Sequence, residues 1–432
     1  MIQSYLAGLG HDLGTGTANF SNNNLNLGQT YSVSASVSGG PSIVEYSNID
    51  STGSAGTGSV SASGLVDPAG TTDVLVQAPG SLTLTGSGSE TSVTFGADSN
   101  VDYSVVDPAA GTMYLAGGAN SISLYSTTSN NAETVYSAGA DTINLIGQGT
   151  DYVSIYGNGV VEDQAANAYV TAEGNATTNL YWDGANAGGT LHFTNNSSVA
   201  ATIHIGIFFD SVTGAPLQAP THVTASGGAG GGYFVGGTAG SNSLIGGSGV
   251  VTLVGAGNGD LLEASSSLGG GNVFFAGAGA ESMIATSSTG ANQFFAGLNY
   301  PGLGQPAATG VISSAGSGAQ SYSLGNVPGG ESIFGSTAAG SSNDYFVVSD
   351  ATAGGGLLSI YNFVDASSKI WLSNGVGGAG NASITAMGFV SVTNSYDIAL
   401  SDGTTILLKG LSSSEMAGIH TSTAFGITQV IG

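Results

Sequence analysis

A five-residue unit, glycine, any residue, Asp/Asn/Glu, any residue, apolar, constrains this chain more than any other feature. It reads Gly118-Ala-Asn120-Ser-Ile122, Gly139-Ala-Asp141-Thr-Ile143, Gly149-Thr-Asp151-Tyr-Val153 and Gly240-Ser-Asn242-Ser-Leu244. It returns as Gly270-Gly-Asn272-Val-Phe274, Gly279-Ala-Glu281-Ser-Met283, Gly290-Ala-Asn292-Gln-Phe294 and Gly329-Gly-Glu331-Ser-Ile333. Within the two groups the first glycines lie 21 and 10, then 30, 9, 11 and 39 residues apart, so a common period of about ten underlies them. The glycine supplies a tight corner, and the short polar residue hydrogen-bonds backbone there. The apolar residue then points inward from a short strand, as in Asp151-Tyr-Val-Ser-Ile-Tyr156. Two such units make a coil of roughly twenty residues, and stacked coils bury their apolar sides only against their neighbours. The expected fold is all-β: a parallel β-solenoid of β-helix or β-roll type, with Ile122, Ile143, Val153, Leu244, Phe274 and Phe294 inward.

Composition agrees with that architecture. Of 432 residues, 74 are glycine and only 7% are charged, against about a quarter in an ordinary domain. Hydroxyls, amides and backbone must therefore build the surface. The 27 Asp and Glu face only Lys369 and Lys409, giving a net charge of −25. Nothing can neutralise phosphates, which argues against nucleic acid and anionic membrane surfaces as partners. The same charge keeps copies apart at low salt. There is no cysteine to form a disulfide or a thiolate metal site. No apolar run reaches membrane-spanning length, so no membrane insertion is expected. Met1-Ile-Gln-Ser-Tyr-Leu lacks a basic n-region, and export without an N-terminal signal peptide is expected.

Four segments follow from texture. Residues 1–40 read as a lead segment, interrupted at Asn22-Asn-Asn24, with an alternating strand over 30–37. Residues 41–225 read as solenoid with a hairpin insertion at 190–213. Residues 226–340 are the most glycine-rich coils, and 299–328, with Pro301, Pro306 and Pro328, read as an irregular loop. Residues 341–432 carry longer strands and form a β cap, with a turn or two of helix over 412–418, where Ser412 precedes Glu415.

The unit resembles the second half of the nonapeptide of RTX repeat proteins, secreted bacterial chains whose β-rolls bind calcium between turns. Gly255-Ala-Gly-Asn-Gly-Asp260-Leu-Leu262 is similar to a stretched copy of it. The run from Asn343-Asp-Tyr-Phe-Val-Val348 through Lys369-Ile-Trp-Leu372 to Leu408-Lys-Gly-Leu411 resembles the region that ends many such chains. That resemblance implies a type I secretion signal at the uncleaved C-terminus. It also implies possible Ca2+ sites: Asp141 with Asp151, and Asp260 with Glu281. Asn at four of the eight repeat positions departs from the pattern, because calcium needs several converging, mostly carboxylate oxygens. Turn capping, which Asn performs as well as Asp, is the competing account, and no cofactor is then required.

No catalytic arrangement is legible. The five histidines lack metal-ligand spacing, there is no Gly-x-Ser-x-Gly elbow, and Glu162-Asp163 points to opposite faces of a strand. The sequence is thus expected to encode no enzyme but a structural protein, self-assembling outside the cell into a filament, sheet or surface layer. Tyr31, Val33 and Val37 on the uncharged lead strand are the candidate assembly residues, adding to a neighbour's sheet edge. The alternatives are a calcium-loaded adhesin or glycan-binding module at the cell surface, and a polysaccharide-active β-helix enzyme.

Overall fold

The computed structural model describes residues 19–24, 42–47, 60–66, 69–77, 80–96, 99–106, 108–125, 132–146, 149–163, 167–182, 190–205, 208–209, 216–217, 222–237, 240–264, 271–277, 279–285, 291–296, 308–313, 320–324, 331–335, 344–350, 356–363, 368–374, 383–424 and 427–431. The chain divides into two compact units, 1–219 and 220–432. In each, consecutive strands alternate between two parallel, in-register ladders.

In the first unit one ladder runs Asn19–Asn24, Ser42–Ser47, Thr71–Gln77, Ser92–Phe95, Thr112–Leu115, Ala132–Ser137, Thr150–Ile155, Asn167–Ala172 and Thr190–Asn195. The other runs Val60–Val66, Gly80–Thr85, Ser99–Val106, Ser121–Tyr125, Asp141–Ile146, Gly159–Asp163, Thr178–Trp182 and Ala201–Ile205. The second unit repeats the plan. One ladder runs His222–Ser226, Ser243–Gly246, Leu261–Ala264, Gly279–Ile284, Ala308–Ser313, Glu331–Phe334 and Leu357–Tyr361. The opposite one runs Gly232–Val235, Val251–Val254, Val273–Phe275, Gln293–Ala296, Ser321–Leu324, Tyr345–Asp350 and Lys369–Asn374. This is the expected β-solenoid.

The alternation of burial along each strand explains why the coils close. Asp141–Ile146 and Ala132–Ser137 bury every second residue, as a strand with one dry face must. The apolar residue of all eight repeat copies is buried: Ile122, Ile143, Val153, Leu244, Phe274, Met283, Phe294 and Ile333. In-register stacking then places like on like. In the second unit Phe274, Phe294, Tyr322 and Phe346 form one internal column, with ring centroids 4.7, 5.2 and 4.7 Å apart. Those distances match the spacing of neighbouring strands, so the ladder itself sets the ring stacking.

At the C-terminal end the pairing turns antiparallel. Thr405–Lys409 lies parallel to Leu357–Tyr361 but antiparallel to Ser395–Leu400, which in turn pairs with Ile384–Val390. The hairpin of His420–Ala424 and Ile427–Ile431 closes on Lys369–Asn374. Between them the one helix among the described residues, Ser413–Gly418, starts at the Ser412 cap with Glu415 completing a capping box.

Three segments differ from the sequence reading. The strands over 190–205 are not a hairpin: Thr190–Asn195 and Ala201–Ile205 belong to opposite ladders, separated by a corner at Asn195–Val199. Among the described residues of that region, only Phe208–Phe209 and Pro216–Leu217 pair antiparallel. Residues 299–328 are not simply irregular, because Ala308–Ser313 and Ser321–Leu324 are regular rungs. Asn22-Asn-Asn24 does not interrupt a strand; it ends one, Asn19–Asn24, paired to Ser42–Ser47 of the same chain. Residues 30–37 lie outside the described residues, and with them Tyr31, Val33 and Val37.

The internal ring column yields a direct expectation. Phe294 is fully buried between Phe274 and Tyr322, so Phe294→Ala should cost about 3–5 kcal/mol by loss of burial and a residual cavity. Urea unfolding followed by circular dichroism measures it; a loss under about 1 kcal/mol would mean that this column is not close-packed.

Candidate functional site: buried polar columns and an aromatic face

The polar residue of the repeat sits immediately before its strand, as Asn120, Asn242, Asn272 and Asn292 do, or within its first three residues, as Asp141, Asp151, Glu281 and Glu331 do, and points inward. Asn120, Asp141, Asp151, Asn242, Asn272, Glu281, Asn292 and Glu331 are all buried. The corner that allows this is steric. Gly240 has φ +79°, and a Cβ there would lie 2.1 Å from the Asn258 carbonyl of the next coil. At Gly139 a Cβ would meet the Gly118 carbonyl at 2.5 Å. Gly270, Gly290 and Gly329 lie outside the described residues.

A buried polar group needs partners, and each coil supplies them to the next. Asn120 accepts from the Val101 amide at 3.0 Å, and donates from its amide and its side chain to Asp141 Oδ1 at 2.9 and 2.8 Å. A further bond runs from Asn120 Nδ2 to the Gly117 carbonyl, and Ser137 Oγ donates to Asp141 Oδ2 at 2.6 Å. The second unit repeats the pattern: Asn242 accepts from Val223 at 2.8 Å and donates to Asp260 Oδ1 at 3.0 and 2.8 Å. Asp260 Oδ2 takes the Ala256 and Gly257 amides, both at 3.0 Å. On the opposite ladder an amide column runs from Asn272 through Asn292 to Gln320 at 2.9 and 3.0 Å, and Gln320 donates its amide to Asp344 at 3.1 Å. Gln320 was not anticipated, yet Gly318-Ala-Gln320-Ser-Tyr322 is the same unit with the amide one carbon longer.

This geometry corrects the pairing of Asp141 with Asp151. Successive units fall on opposite ladders, so a ten-residue spacing separates the two carboxylates and a twenty-residue spacing stacks them. Asp141 is committed to Asn120 and Ser137. Asp151 stacks instead on Glu133, whose amide donates to Asp151 Oδ1 at 3.3 Å. Asp260 and Glu281 are neighbours, since Leu261 pairs with Ser282 one residue on. Among the described residues no three His, Asp or Glu side chains converge to hold a metal.

Where the column holds carboxylates without amide partners, they resist ionising. Burial, then the charge of Asp151, pushes Glu133 up to about 8, and burial raises Asp151 as well. Glu281 is pushed up to about 9, by burial first and then by Asp260 and Glu331. The Gly277 backbone amide favours the charged form only weakly against this, and neither Glu281 oxygen has a fully formed hydrogen bond among the described residues. Burial holds Glu331 at about 7.

The outer side of the first unit carries a second feature. Two neighbouring outward columns read Thr112, Thr134, Tyr152, Tyr169, His192 and Tyr114, Tyr136, Ser154, Thr171, Thr194. Tyr152, Tyr169 and His192 stack with centroids 5.0 and 4.7 Å apart, and Tyr114 stacks on Tyr136 at 5.2 Å. Tyr152 and Tyr169 are exposed, and neither column contains a charged residue. The sequence signal for this face was tyrosine recurring at the outward phase of consecutive strands.

Fold and columns define a class: a two-ladder parallel β-solenoid whose corners are tied by buried amide and carboxyl side chains. Compared with known proteins, the chain matches no family model, no curated protein and no solved structure.

The carboxylates set a pH dependence. In the unfolded chain a Glu titrates near 4.5, and in the fold Glu281, Glu133 and Glu331 bind their protons more tightly, up to about 9, 8 and 7. Their contribution to stability is fully present below pH 4.5 and is lost as pH rises toward 9. Thermal melts should show Tm falling from pH 5 to pH 9 by roughly 5 °C or more, with Glu281→Gln flattening the alkaline part of that fall. A Tm that rises with pH over this range would contradict the buried, protonated state.

Proposed function

We propose that this is a structural protein, exported from the cell, that self-assembles into a filament, sheet or surface layer. The observation that carries the reading is an outward column on the second unit. Register aligns Phe275, Phe295, Ser323, Val347 and Trp371 on the outer side of one ladder. Phe275 and Phe295 stack at 4.7 Å, both are half-buried, and the buried Trp371 indole N–H has no acceptor among the described residues.

Apolar rings turned outward on a ladder gain by burial against a complementary surface. A second copy supplies one, because the column can pack on its own image about a two-fold axis, and the dimer so formed extends into an array through a second contact such as strand addition. The −25 charge opposes that approach at low salt and is screened at high salt. Strand addition by Tyr31, Val33 and Val37 is a further route within the same reading. Export by a C-terminal signal, as the RTX resemblance implies, places the assembly outside the cell. The reading assigns the chain no catalytic role and requires no cofactor. No helix among the described residues is long and apolar enough to cross a membrane.

Sedimentation velocity and electron microscopy across a salt series test it. The wild-type chain should form ordered higher species as salt rises, and Phe275→Ser with Phe295→Ser should remain monomeric with an unchanged circular dichroism spectrum. A wild-type chain that stays monomeric at every salt concentration would contradict self-assembly.

A further inference from the structure

The aromatic face of the first unit is incomplete in a specific way. In each column the ring stack stops partway and a small hydroxyl residue takes the next place. Tyr152 is flanked on one side by Tyr169 and on the other by Thr134. Tyr136 is flanked by Tyr114 and, on the other side, by Ser154. Among the described residues, the face of Tyr152 that looks over Thr134, and the face of Tyr136 that looks over Ser154, therefore have no ring against them. Thr134 and Tyr136 share one strand and Tyr152 and Ser154 share the next, so the two steps lie diagonally adjacent.

We propose that these two steps bind a neutral polysaccharide, with a pyranose ring set on each. Three properties on the page select that chemistry. The open tyrosine faces match the C–H face of a sugar ring, an amphipathic surface that stacks on aromatic rings. The floors, Thr134 and Ser154, offer hydroxyls that both donate and accept, as sugar hydroxyls require. Both columns lack charge, and the only cationic side chains besides histidine, Lys369 and Lys409, belong to the other unit. An anionic glycan would meet the field of a −25 chain with no cation at the site. Stacked columns also make the face flat and regular, which favours an extended β-linked chain over a coiled one. This binding stands or falls separately from self-assembly through the Phe275–Phe295 column, which belongs to the other unit.

Native gel electrophoresis through hydroxyethylcellulose, with alginate as the anionic comparison, tests the proposal. The wild-type chain should be retarded by hydroxyethylcellulose and not by alginate. Tyr136→Ala with Tyr152→Ala should weaken retardation at least roughly ten-fold, the loss expected for removing anchoring aromatics. Those changes could also loosen the ladder. Thr134→Tyr with Ser154→Tyr therefore serves as the second variant: it extends both stacks, keeps the fold, and should abolish retardation by filling the steps. Val392→Ser, fully exposed on the other unit and outside both surfaces, should leave retardation unchanged. The proposal is overturned if hydroxyethylcellulose does not retard the wild-type chain, if alginate retards it equally, or if the step-filling variant binds as well as wild type. It is overturned too if the step-filling variant changes only the oligomeric state, which would make the face an interface between copies.

Discussion

Among the described residues, successive coils of this solenoid bury polar side chains at their corners, and neighbouring coils satisfy most of them. That requirement organises the rest of the structure. Asn120 and Asn242 each tie three levels together, accepting from the coil before and donating to the coil after. A buried polar atom left unpaired costs about 1–3 kcal/mol, so a coil out of register is penalised at each such corner. The corners, not the length of the loops, then fix the stacking. Asn292 and Gln320 are 28 residues apart, yet they are hydrogen-bonded neighbours in one column just as Asn272 and Asn292 are. Excursions of different length between rungs are tolerated because the chain returns to the same corner.

Amide and carboxyl corners are not equivalent. An amide donates and accepts, so it continues a column indefinitely, as in the run from Asn272 to Gln320. A carboxylate only accepts, and it ends a run by gathering donors, as Asp260 does with two loop amides and the Asn242 side chain. Two carboxylates in succession, Glu133 on Asp151 or Asp260 below Glu281, put no side-chain donor between the two carboxyl groups. The chain resolves this by keeping a proton on the glutamates, and ties part of its stability to acidity. With a sequence pI near 4.1, the conditions that keep those protons also reduce the mutual repulsion of copies.

The fold was legible because the repeat carries its own phase. Ile122, Phe274 and Phe294 could be placed inward from a glycine corner and a period near ten. What the period could not give was the assignment of alternate units to opposite ladders. Reading Asp141 and Asp151 as adjacent in sequence period made them neighbours, whereas the coil puts twenty residues between neighbours. Long intervals hid rungs as well: Ala308–Ser313 and Ser321–Leu324 sit in a proline-bearing stretch where composition pointed to loop. The tyrosine face was readable only in hindsight, since the outward phase of one strand means little until the register with the next is known.

The central claim is that buried side-chain corners, not backbone ladders alone, hold the coils in register. Hydrogen–deuterium exchange resolved to single amides tests it most directly. The Val101, Val223 and Val251 amides donate to the side chains of Asn120, Asn242 and Asn272 rather than to a neighbouring backbone carbonyl. They should exchange as slowly as amides in the middle of their strands, and Asn242→Ala should release Val223 selectively while leaving the mid-strand amides protected. Fast exchange at all three positions in the wild-type chain, at rates typical of open turns, would contradict the account.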